Sequence, residues 1–467
     1  MRFARSLRSY GFLDLTLLGA FPSGAPSFSW VETEIVVAER GGRVRGIFAM
    51  PKNLIPELLA PAGDWKSLDA SLDAGADAIY FGVRGFNMRA AAKNFTARDL
   101  PKIVEICHKR KVRAYLTLNV VVFEREVSKL GRLLKAAKTA GVDGVICSDF
   151  AVLAAARKAD LEVHASTQMS VANSGSIAFL HGLGVRRFVL ARECSLEDIR
   201  KIKTSLKKAL GKAAAGVKIE AFGHGAMCVS MSGRCFLSNF ETGKSANRGE
   251  CSQQCRREYR IVEERGGQEW TLGKNYILSP KDLCTLPFIE KLIAAGVDSL
   301  KIEGRIRGPE YVSTVVSTYR RALDFYAANR GKRGWVNRFD ELKKELLVSL
   351  ERVYNRGFSS GFYCGKPIGD WSARPQNASP MKKRFVGTVV NYFKKLSVAE
   401  IAVQDASFAL GDELFIEGPS TGFFRQKVES LQIESQPVSE APAGVNVALR
   451  VSEPVRRGDK LYIMRLK

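Results

Sequence analysis

The sequence of 467 residues lacks several features that mark common classes of protein. No run of eighteen apolar residues occurs, so we predict no transmembrane helix. There is no G-x-S-x-G and no H-E-x-x-H motif, and only four histidines are present, which disfavours a serine hydrolase or a zinc peptidase. Acidic residues are also few, because 48 Asp and Glu face 72 Lys and Arg and leave a net charge of +24. Such a surplus favours polyanionic partners, with general basicity as the alternative explanation.

Residues 1–49 differ in character from the rest of the chain. They run from basic to apolar to small residues, an order faintly similar to a secretory signal, but Asp14 interrupts the apolar stretch. Regular structure is expected from Met50, so we interpret residues 1–49 as a disordered or mis-called leader that is dispensable. The protein is then expected to be cytoplasmic, where thiols stay reduced and clustered cysteines more often bind metal.

Eight short apolar runs alternate with amphipathic stretches from residue 57 onward. Each run has the length and β-branched content of a buried strand, and a helix-ending glycine comes two or three residues before several of them. The repetition predicts a TIM (β/α)8 barrel over residues 50–330, with a doubly wound sheet as the alternative. The runs are 57–63, 78–82, 113–123, 144–149, 162–171, 186–193, 217–225 and 299–305, and the glycines are Gly75, Gly141, Gly184 and Gly296.

Polar residues stand at the ends of the predicted strands. Because a TIM barrel carries its chemistry at the carboxyl ends of its strands, these residues together predict a polar pocket. Each one alone is equally well explained as a helix cap or a satisfied buried group. We favour Gln168, Glu303 and Arg305 as the catalytic or ligand-holding residues. The whole set is Asp64, Asn87, Asn119, Asp149, Gln168, Arg192, Glu193, His224, Glu303 and Arg305.

The region after the seventh strand departs from the barrel repeat. More than seventy residues precede the eighth strand, and they include a predicted hairpin at 258–273. After the barrel, a helix with Pro309 in its first turn and a second helix ending at Gly357 are predicted, the second within a helical linker over 331–382. From 383 the apolar period becomes two, which predicts a small C-terminal β-barrel domain up to residue 467.

Five of the nine cysteines fall in or near this insert. Their spacing, C-x6-C-x15-C-x3-C and then one more, suits an iron–sulfur cluster, which tolerates uneven loops. Zinc, which prefers C-x2-4-C pairs, stays open, as do core packing and a redox disulfide. Since the seventh strand runs directly into this stretch, Cys228 should lie at the pocket mouth. The five are Cys228, Cys235, Cys251, Cys255 and Cys284.

The segment E-x-F-x2-G-A-M-C-x6-C-x2-S, from Glu220 to Ser238, resembles the signature of the collagenase-like peptidase family of unknown catalytic type, family thirty-two. The resemblance extends through LLAPAGD, AGADAIYFG, VHASTQMSV, NRGECSQQCRREY, SPKDLC and SLKIEGRIRGPEYV, over roughly 55–330. It implies two rival activities, proteolysis and hydroxylation of RNA or of a quinone. The layout is most similar to the prephenate-dependent branch that hydroxylates the wobble uridine of tRNA. Another branch hydroxylates a cytidine of ribosomal RNA.

The resemblance also implies a [4Fe-4S] cluster, with Cys228, Cys235 and Cys251 as ligands and Cys255 or Cys284 as the fourth. We rank a tRNA hydroxylase first, with tRNA or ribosomal RNA as the partner, because the charge, the basic stretches 195–210 and 330–338 and the C-terminal barrel all suit phosphate binding. A peptidase is second, since no activated nucleophile is evident, and a non-catalytic RNA-binding protein is third. Prephenate is the expected co-substrate, and no membrane partner is expected.

Overall fold

A computed structural model describes residues 55–231, 233–257, 260–262, 264–266, 269–271, 278–373 and 377–467. Its centre is a barrel of eight parallel strands, each paired with the next one along the chain. The last strand pairs with both the first and the seventh, which closes the barrel. The predicted TIM barrel is confirmed, and every strand overlaps one of the eight predicted runs. The strands are β1 (Glu57–Ala62), β2 (Ala78–Phe81), β3 (Arg113–Leu118), β4 (Gly144–Cys147), β5 (Val163–Ala165), β6 (Val185–Val189), β7 (Lys218–Gly225) and β11 (Ser299–Ile302).

Helices connect the barrel strands and end where the glycines predict. Gly75, Gly141, Gly184 and Gly296 each follow the end of a helix, with φ of +87°, +80°, +93° and +92°. Glycine adopts this conformation without steric cost. No helix in the described ranges is both long and apolar enough for a membrane span. The helices are α1 (Trp65–Asp73), α2 (Leu100–Lys109), α3 (Val127–Ala140), α4 (Phe150–Lys158), α5 (Ser174–Gly182), α6 (Leu196–Leu210), α7 (Leu237–Thr242), α8 (Ile289–Ala295), α9 (Pro309–Asn329) and α10 (Trp335–Glu351).

Charged side chains occupy the amino-terminal part of the barrel interior. Arg187 donates to Glu57 Oε2 over 3.1 Å and to Glu220 Oε2 over 3.3 Å. Lys301 Nζ lies 2.8 Å from Glu220 Oε1, and the Glu220 side chain is fully buried. Each of these buried charges has an opposite partner, which offsets its desolvation. The network fixes β1, β6, β7 and β11 relative to one another.

The insert after β7 returns to the barrel sheet before the last barrel strand. Strand β10 (Asp282–Cys284) pairs antiparallel with β7, and β12 (Phe358–Ser359) pairs parallel with β10. In the described residues of the predicted hairpin, β8 (Arg260–Val262) pairs antiparallel with β9 (Glu269–Thr271), as expected. The chain after α10 therefore packs onto the barrel sheet, although the sequence suggested only a helical linker there.

Helix α10 begins and ends earlier than predicted. It begins at Trp335, inside the predicted basic linker 330–338, because the Trp335 ring packs edge-on against Tyr326 of α9, 5.7 Å between centroids. It ends at Glu351 and not at Gly357. There the Asn355 side chain donates to the carbonyl oxygens of Glu351 (3.0 Å) and Val353 (2.9 Å), and so satisfies groups that another helical turn would have used.

An antiparallel sheet follows in the C-terminal region, as the period-two pattern predicted. Its strands lie in the order β17-β16-β22-β13-β14-β21-β18-β19 and enclose a core of their own. Lys383 connects it to α9 through Glu310, 3.2 Å away, and Lys66 of α1 lies 3.0 Å from Glu417. The predicted leader, 1–49, lies outside the described residues. The strands are β13 (Met381–Phe393), β14 (Val398–Val403), β15 (Phe408–Ala409), β16 (Glu413–Gly418), β17 (Gly422–Lys427), β18 (Leu431–Ile433), β19 (Gln436–Pro437), β20 (Glu440–Ala441), β21 (Asn446–Arg450) and β22 (Lys460–Leu466).

Candidate functional site

The carboxyl-terminal ends of the barrel strands surround a cavity of about 260 Å³. Tyr80 of β2, Thr117 of β3 and Phe222 of β7 line it from the barrel, and the insert after β7 supplies the rest of its wall. This is the end of a TIM barrel at which binding and catalytic residues gather. The cavity therefore lies where the sequence predicted a pocket.

The structure brings half of the predicted polar residues to this cavity. Asp64 and Asp149, which do not line it, are helix caps that accept hydrogen bonds from the backbone N–H groups of Ser67 (3.0 Å) and Ala151 (2.8 Å). Glu193 is exposed, and the buried Asn87 supports a cavity residue from behind. The predicted residues that line the cavity are Asn119, Gln168, Arg192, Glu303 and Arg305.

Gln168 is held by a small network of polar side chains. It lies in a turn of 3-10 helix directly after β5, and its Oε1 accepts from Asn119 Nδ2 over 3.1 Å. Ser166 also donates to Gln168 Oε1, and Asn119 Nδ2 lies 3.2 Å from Ser166 Oγ. Because the carbonyl end of the amide is already occupied, the Gln168 NH₂ group is the end left for a ligand.

Glu303 is a buried carboxylate that stays ionised. Its side chain is paired with Arg89, whose Nη2 and Nε lie 3.0 and 3.3 Å from Glu303 Oε1. Burial alone would raise the pKa of Glu303, but Arg89, Arg307 and Arg192 outweigh that effect and lower it. Arg89 was not among the residues predicted from the sequence. The only indication of its role was its position two residues after Asn87, in the loop that follows β2.

Arg305 is a buried cation with neutral partners. Its Nη1 donates to Asn87 Oδ1 over 3.1 Å and to Thr117 Oγ1 over 3.0 Å, and the residue is 5% exposed. In the described part of the chain it forms no salt bridge. Burial lowers the pKa of Arg305 to about 10, so the guanidinium still carries its charge at neutral pH. A buried guanidinium without a carboxylate is costly and is stabilised when an anion binds beside it.

Arg192 is a second cation with neutral partners, and its side chain is partly buried. Its Nη1 donates to the Ala226 carbonyl oxygen over 2.9 Å, and its guanidinium lies 3.9 Å from the centroid of the Phe222 ring. Burial lowers the pKa of Arg192, and no ion pair to it is formed among the described residues. Arg192 and Arg305 thus give one cavity two charged guanidinium groups without paired carboxylates, an arrangement suited to a small anion.

Four cysteines of the insert line the same cavity. They are Cys228, Cys235, Cys251 and Cys255. Burial is the main cause that raises the pKa of the Cys255 thiol. Arg256 opposes it, whereas the other three cysteines add to it, so all three lie within electrostatic range of Cys255. The Leu237 N–H also donates to Cys235 Sγ, with 3.4 Å between nitrogen and sulfur.

Cys284 does not join this group. It lies on β10, is 3% exposed, and has the Tyr319 hydroxyl 3.9 Å from its sulfur. Burial raises the pKa of Cys284 to about 12, which disfavours the thiolate that a metal needs. His224 stands opposite it on β7, and burial lowers the pKa of His224 to about 3, so this imidazole is neutral. Neither residue lines the cavity.

Among the described residues, the four cavity thiols do not form a site for a single metal ion. Within the ranges that the structure describes, no three His, Cys, Asp or Glu side chains converge as they would on one metal ion. Four thiolates around one zinc would lie about 3.8 Å apart, because each Zn–S bond is about 2.3 Å and the geometry is tetrahedral. A four-iron cluster is larger and takes four cysteine thiolates, which is the donor type that the four cavity cysteines offer.

The chain matches a known protein family over most of its length. The sequence profile of Peptidase family U32 matches residues 63–373. The chain belongs to this family. It is 41% identical over 409 residues to a collagenase of Porphyromonas gingivalis, covering 87% of this chain and 97% of that protein. The resemblance seen in the sequence motifs is thereby confirmed.

Other relatives of this U32 protein are named for RNA modification. It is 36% identical over 382 residues to tRNA hydroxylation protein P1 of Bacillus subtilis, covering 80% of this chain and 86% of that protein. It is 33% identical over 412 residues to the 23S rRNA 5-hydroxycytidine C2501 synthase of Escherichia coli, covering 86% of this chain and 59% of that one. Names in the family therefore divide between peptidase and RNA hydroxylase.

The insert is seated against the barrel at Gly249, which yields a direct test. The Ala90 N–H donates to the Gly249 carbonyl oxygen over 3.0 Å. A Cβ added to Gly249 would lie 2.3 Å from the backbone carbonyl oxygen of Asn87. With φ of +90°, Gly249→Ala should lower the free energy of unfolding by about 2–5 kcal/mol in urea titration. The control is Gly243→Ala, which has φ of +70° but meets no atom within 4 Å, and should cost about 1 kcal/mol. Equal losses would contradict the proposed contact.

Proposed function

We propose that this protein is an RNA hydroxylase that acts on a pyrimidine, with the wobble uridine of tRNA as its substrate and prephenate as its co-substrate. The observation that carries the proposal is that one cavity combines four cysteines with two arginines, Arg305 buried and Arg192 partly buried, that form no ion pair among the described residues. The relatives named for tRNA and ribosomal RNA hydroxylation support the same class of reaction.

A [4Fe-4S] cluster is the cofactor that we propose, held by Cys228, Cys235, Cys251 and Cys255. When bound, such a cluster supplies one-electron transfer to a reaction beside it. The protein's part is to hold the four thiolates on loops that are pinned to the barrel. Arg256 does this for Cys255, because its Nη2 donates to the Met227 carbonyl directly after β7. Its Nη1 donates to the Ser279 hydroxyl over 2.6 Å and to the Pro280 carbonyl over 2.8 Å, just before β10.

The two cavity arginines are the proposed anchor for a carboxylate ligand. Arg305 and Arg192 each keep N–H groups that can donate in pairs to a carboxylate, as the planar fork of arginine favours. Gln168 would orient the ligand through its NH₂ group, while Glu303 holds Arg89 at the cavity wall. Prephenate carries the carboxylate groups that this set would recognise.

The charge of the whole chain suits an RNA substrate. A net charge of +24 attracts phosphates, and part of it lies on α6, where Lys207 and Lys208 are exposed. A base must leave its stack to enter a cavity at the end of a barrel, and unpaired bases in a loop do so at lower cost than bases in a duplex. An anticodon loop therefore fits the site better than a helix of RNA.

Proteolysis is the second candidate, and the collagenase relative is the observation that favours it. The described cavity lining contains no histidine that would activate a cysteine or serine. The nearby His224 is buried against Tyr319, 3.4 Å from its hydroxyl, and is not part of this lining. The described lining therefore offers no histidine as the base that most cysteine and serine peptidases use.

Mass spectrometry of nucleosides from a deletion strain tests the function. We expect hydroxylated uridine to be lost from the tRNA and to return when the wild-type gene is restored. Restoration with a Cys228→Ala, Cys235→Ala variant should fail, because the cluster ligands would be missing. If hydroxylation of tRNA and ribosomal RNA is unchanged in the deletion strain, and the purified protein cleaves gelatin, the protein is a peptidase and the proposed hydroxylase function is wrong.

Iron analysis distinguishes the two possible fourth ligands. Protein purified without oxygen should be brown and hold about four iron atoms per chain. Cys255→Ala should lose most of this iron, whereas Cys284→Ala should keep it, because Cys284 is buried on β10 beside Tyr319. Stoichiometric zinc in the wild type would contradict a cluster, and loss of iron only in Cys284→Ala would contradict this ligand set.

Calorimetric titration with prephenate tests the carboxylate anchor. Arg305→Met should weaken binding about 10- to 100-fold, since a charge-assisted hydrogen bond contributes about 1.5–3 kcal/mol. Arg192→Met is an independent variant with the same expectation, and Arg132→Met, on the exposed face of α3, is the matched control that should bind normally. Unchanged affinity in both cavity variants, at normal melting temperature, would exclude this anchor.

A further inference from the structure

An exposed aromatic pair lies on helix α7, at the rim of the cavity. Phe236 and Phe240 are 64% and 87% exposed, and their ring centroids are 6.4 Å apart. The two residues are four apart in the chain, so their side chains project from one face of the helix. Met231 and Val229, in the loop before α7, are also exposed. Exposed apolar groups that cluster in this way are typical of binding surfaces.

The opposite side of α7 belongs to the cavity. Leu237 and Ser238 line it together with Cys235. Ser238 is 2% exposed, its hydroxyl accepts from the Ser252 N–H over 3.1 Å and lies 4.0 Å from Cys251 Sγ. The helix therefore separates the cavity from solvent, and the phenylalanine pair stands immediately outside the proposed site of reaction.

Cationic side chains flank the pair. Arg234 precedes Phe236 by two residues, and Lys244 follows the end of α7; both are exposed. Arg234 donates to the Gln168 backbone oxygen, and neither residue forms a salt bridge within the part of the chain that the structure describes. Aromatic faces with adjacent unpaired cations are the composition of single-stranded nucleic-acid sites, where bases stack and phosphates pair with the cations. An apolar protein partner would not call for the cations.

We propose that Phe236 and Phe240 form a stacking platform for an unpaired base of the RNA loop, beside the base that enters the cavity. This inference rests on the proposed RNA hydroxylase function and adds a determinant of substrate choice to it. Phenylalanine stacks on any base whose face is free, but the faces of paired bases in a duplex are covered by their neighbours. The platform would thus select loops over helices, while Arg234 and Lys244 contact the phosphates.

Fluorescence anisotropy with the full, iron-containing protein tests the platform. The ligands are a stem–loop RNA and a blunt duplex RNA of equal length, each measured at two salt concentrations. Phe240→Ala should bind the stem–loop about tenfold more weakly and the Phe236→Ala, Phe240→Ala variant more weakly still, with duplex binding and the salt dependence unchanged. Phe240→Trp should bind normally. Phe179→Ala is the matched control, because Phe179 on α5 is 67% exposed and lies outside the cavity lining.

The outcomes separate this inference from the function on which it rests. If the wild-type protein binds neither RNA, the proposed function fails and the platform fails with it. If the wild type binds the stem–loop and the double variant binds it equally well, only the platform is overturned. An equal loss for stem–loop and duplex would overturn it too, as would a wild-type dimer that dissociates in Phe240→Ala, since the pair would then bind a second copy of the chain.

Discussion

Strand β11 pairs with β1 on one side and with β7 on the other, and the site depends on this closure. The strand carries Lys301 into the ion network of the barrel interior, where Glu220 partners it. Directly after the strand, Glu303 and Arg305 reach the cavity. One short segment therefore completes the hydrogen bonding of the barrel, balances its buried charge and delivers two of the ligand-facing side chains. Without closure the charged residues would have no fixed positions.

Unequal pairing of charge is what distinguishes the two ends of the barrel interior. At the amino-terminal end, Arg187 has two carboxylate partners, so its charge is compensated within the protein. At the carboxyl-terminal end, Arg192 and Arg305 contact carbonyl, amide and hydroxyl oxygens instead. Burying a cation without its counter-ion costs stability. Such unpaired charges are common in binding sites. Because Arg192 and Arg305 have no carboxylate partner among the described residues, we propose that the ligand is an anion.

Arginine contacts pin the cysteine insert to the barrel loops. Arg248 lies 2.6 Å from Glu126 at the start of α3 and donates to the Val121 carbonyl oxygen. Arg234 donates to the backbone oxygen of Gln168, which joins the insert to the turn after β5. These contacts span residues far apart in sequence, and they place the thiols and the polar pocket in one wall. They also explain why the insert is long, since it must reach around the mouth of the barrel.

Local sequence determined the barrel elements, because short apolar runs and positive-φ glycines such as Gly141 act through neighbouring residues. It also showed that cysteines gather after β7 and that Gln168, Glu303 and Arg305 lie where barrel strands end. Only the tertiary structure distinguished the cavity cysteine Cys255 from Cys284, because β10 turns back along β7 and buries the latter. The pairing of Arg89 with Glu303 was equally invisible, since 214 residues separate them and no local periodicity reports a contact made through barrel closure.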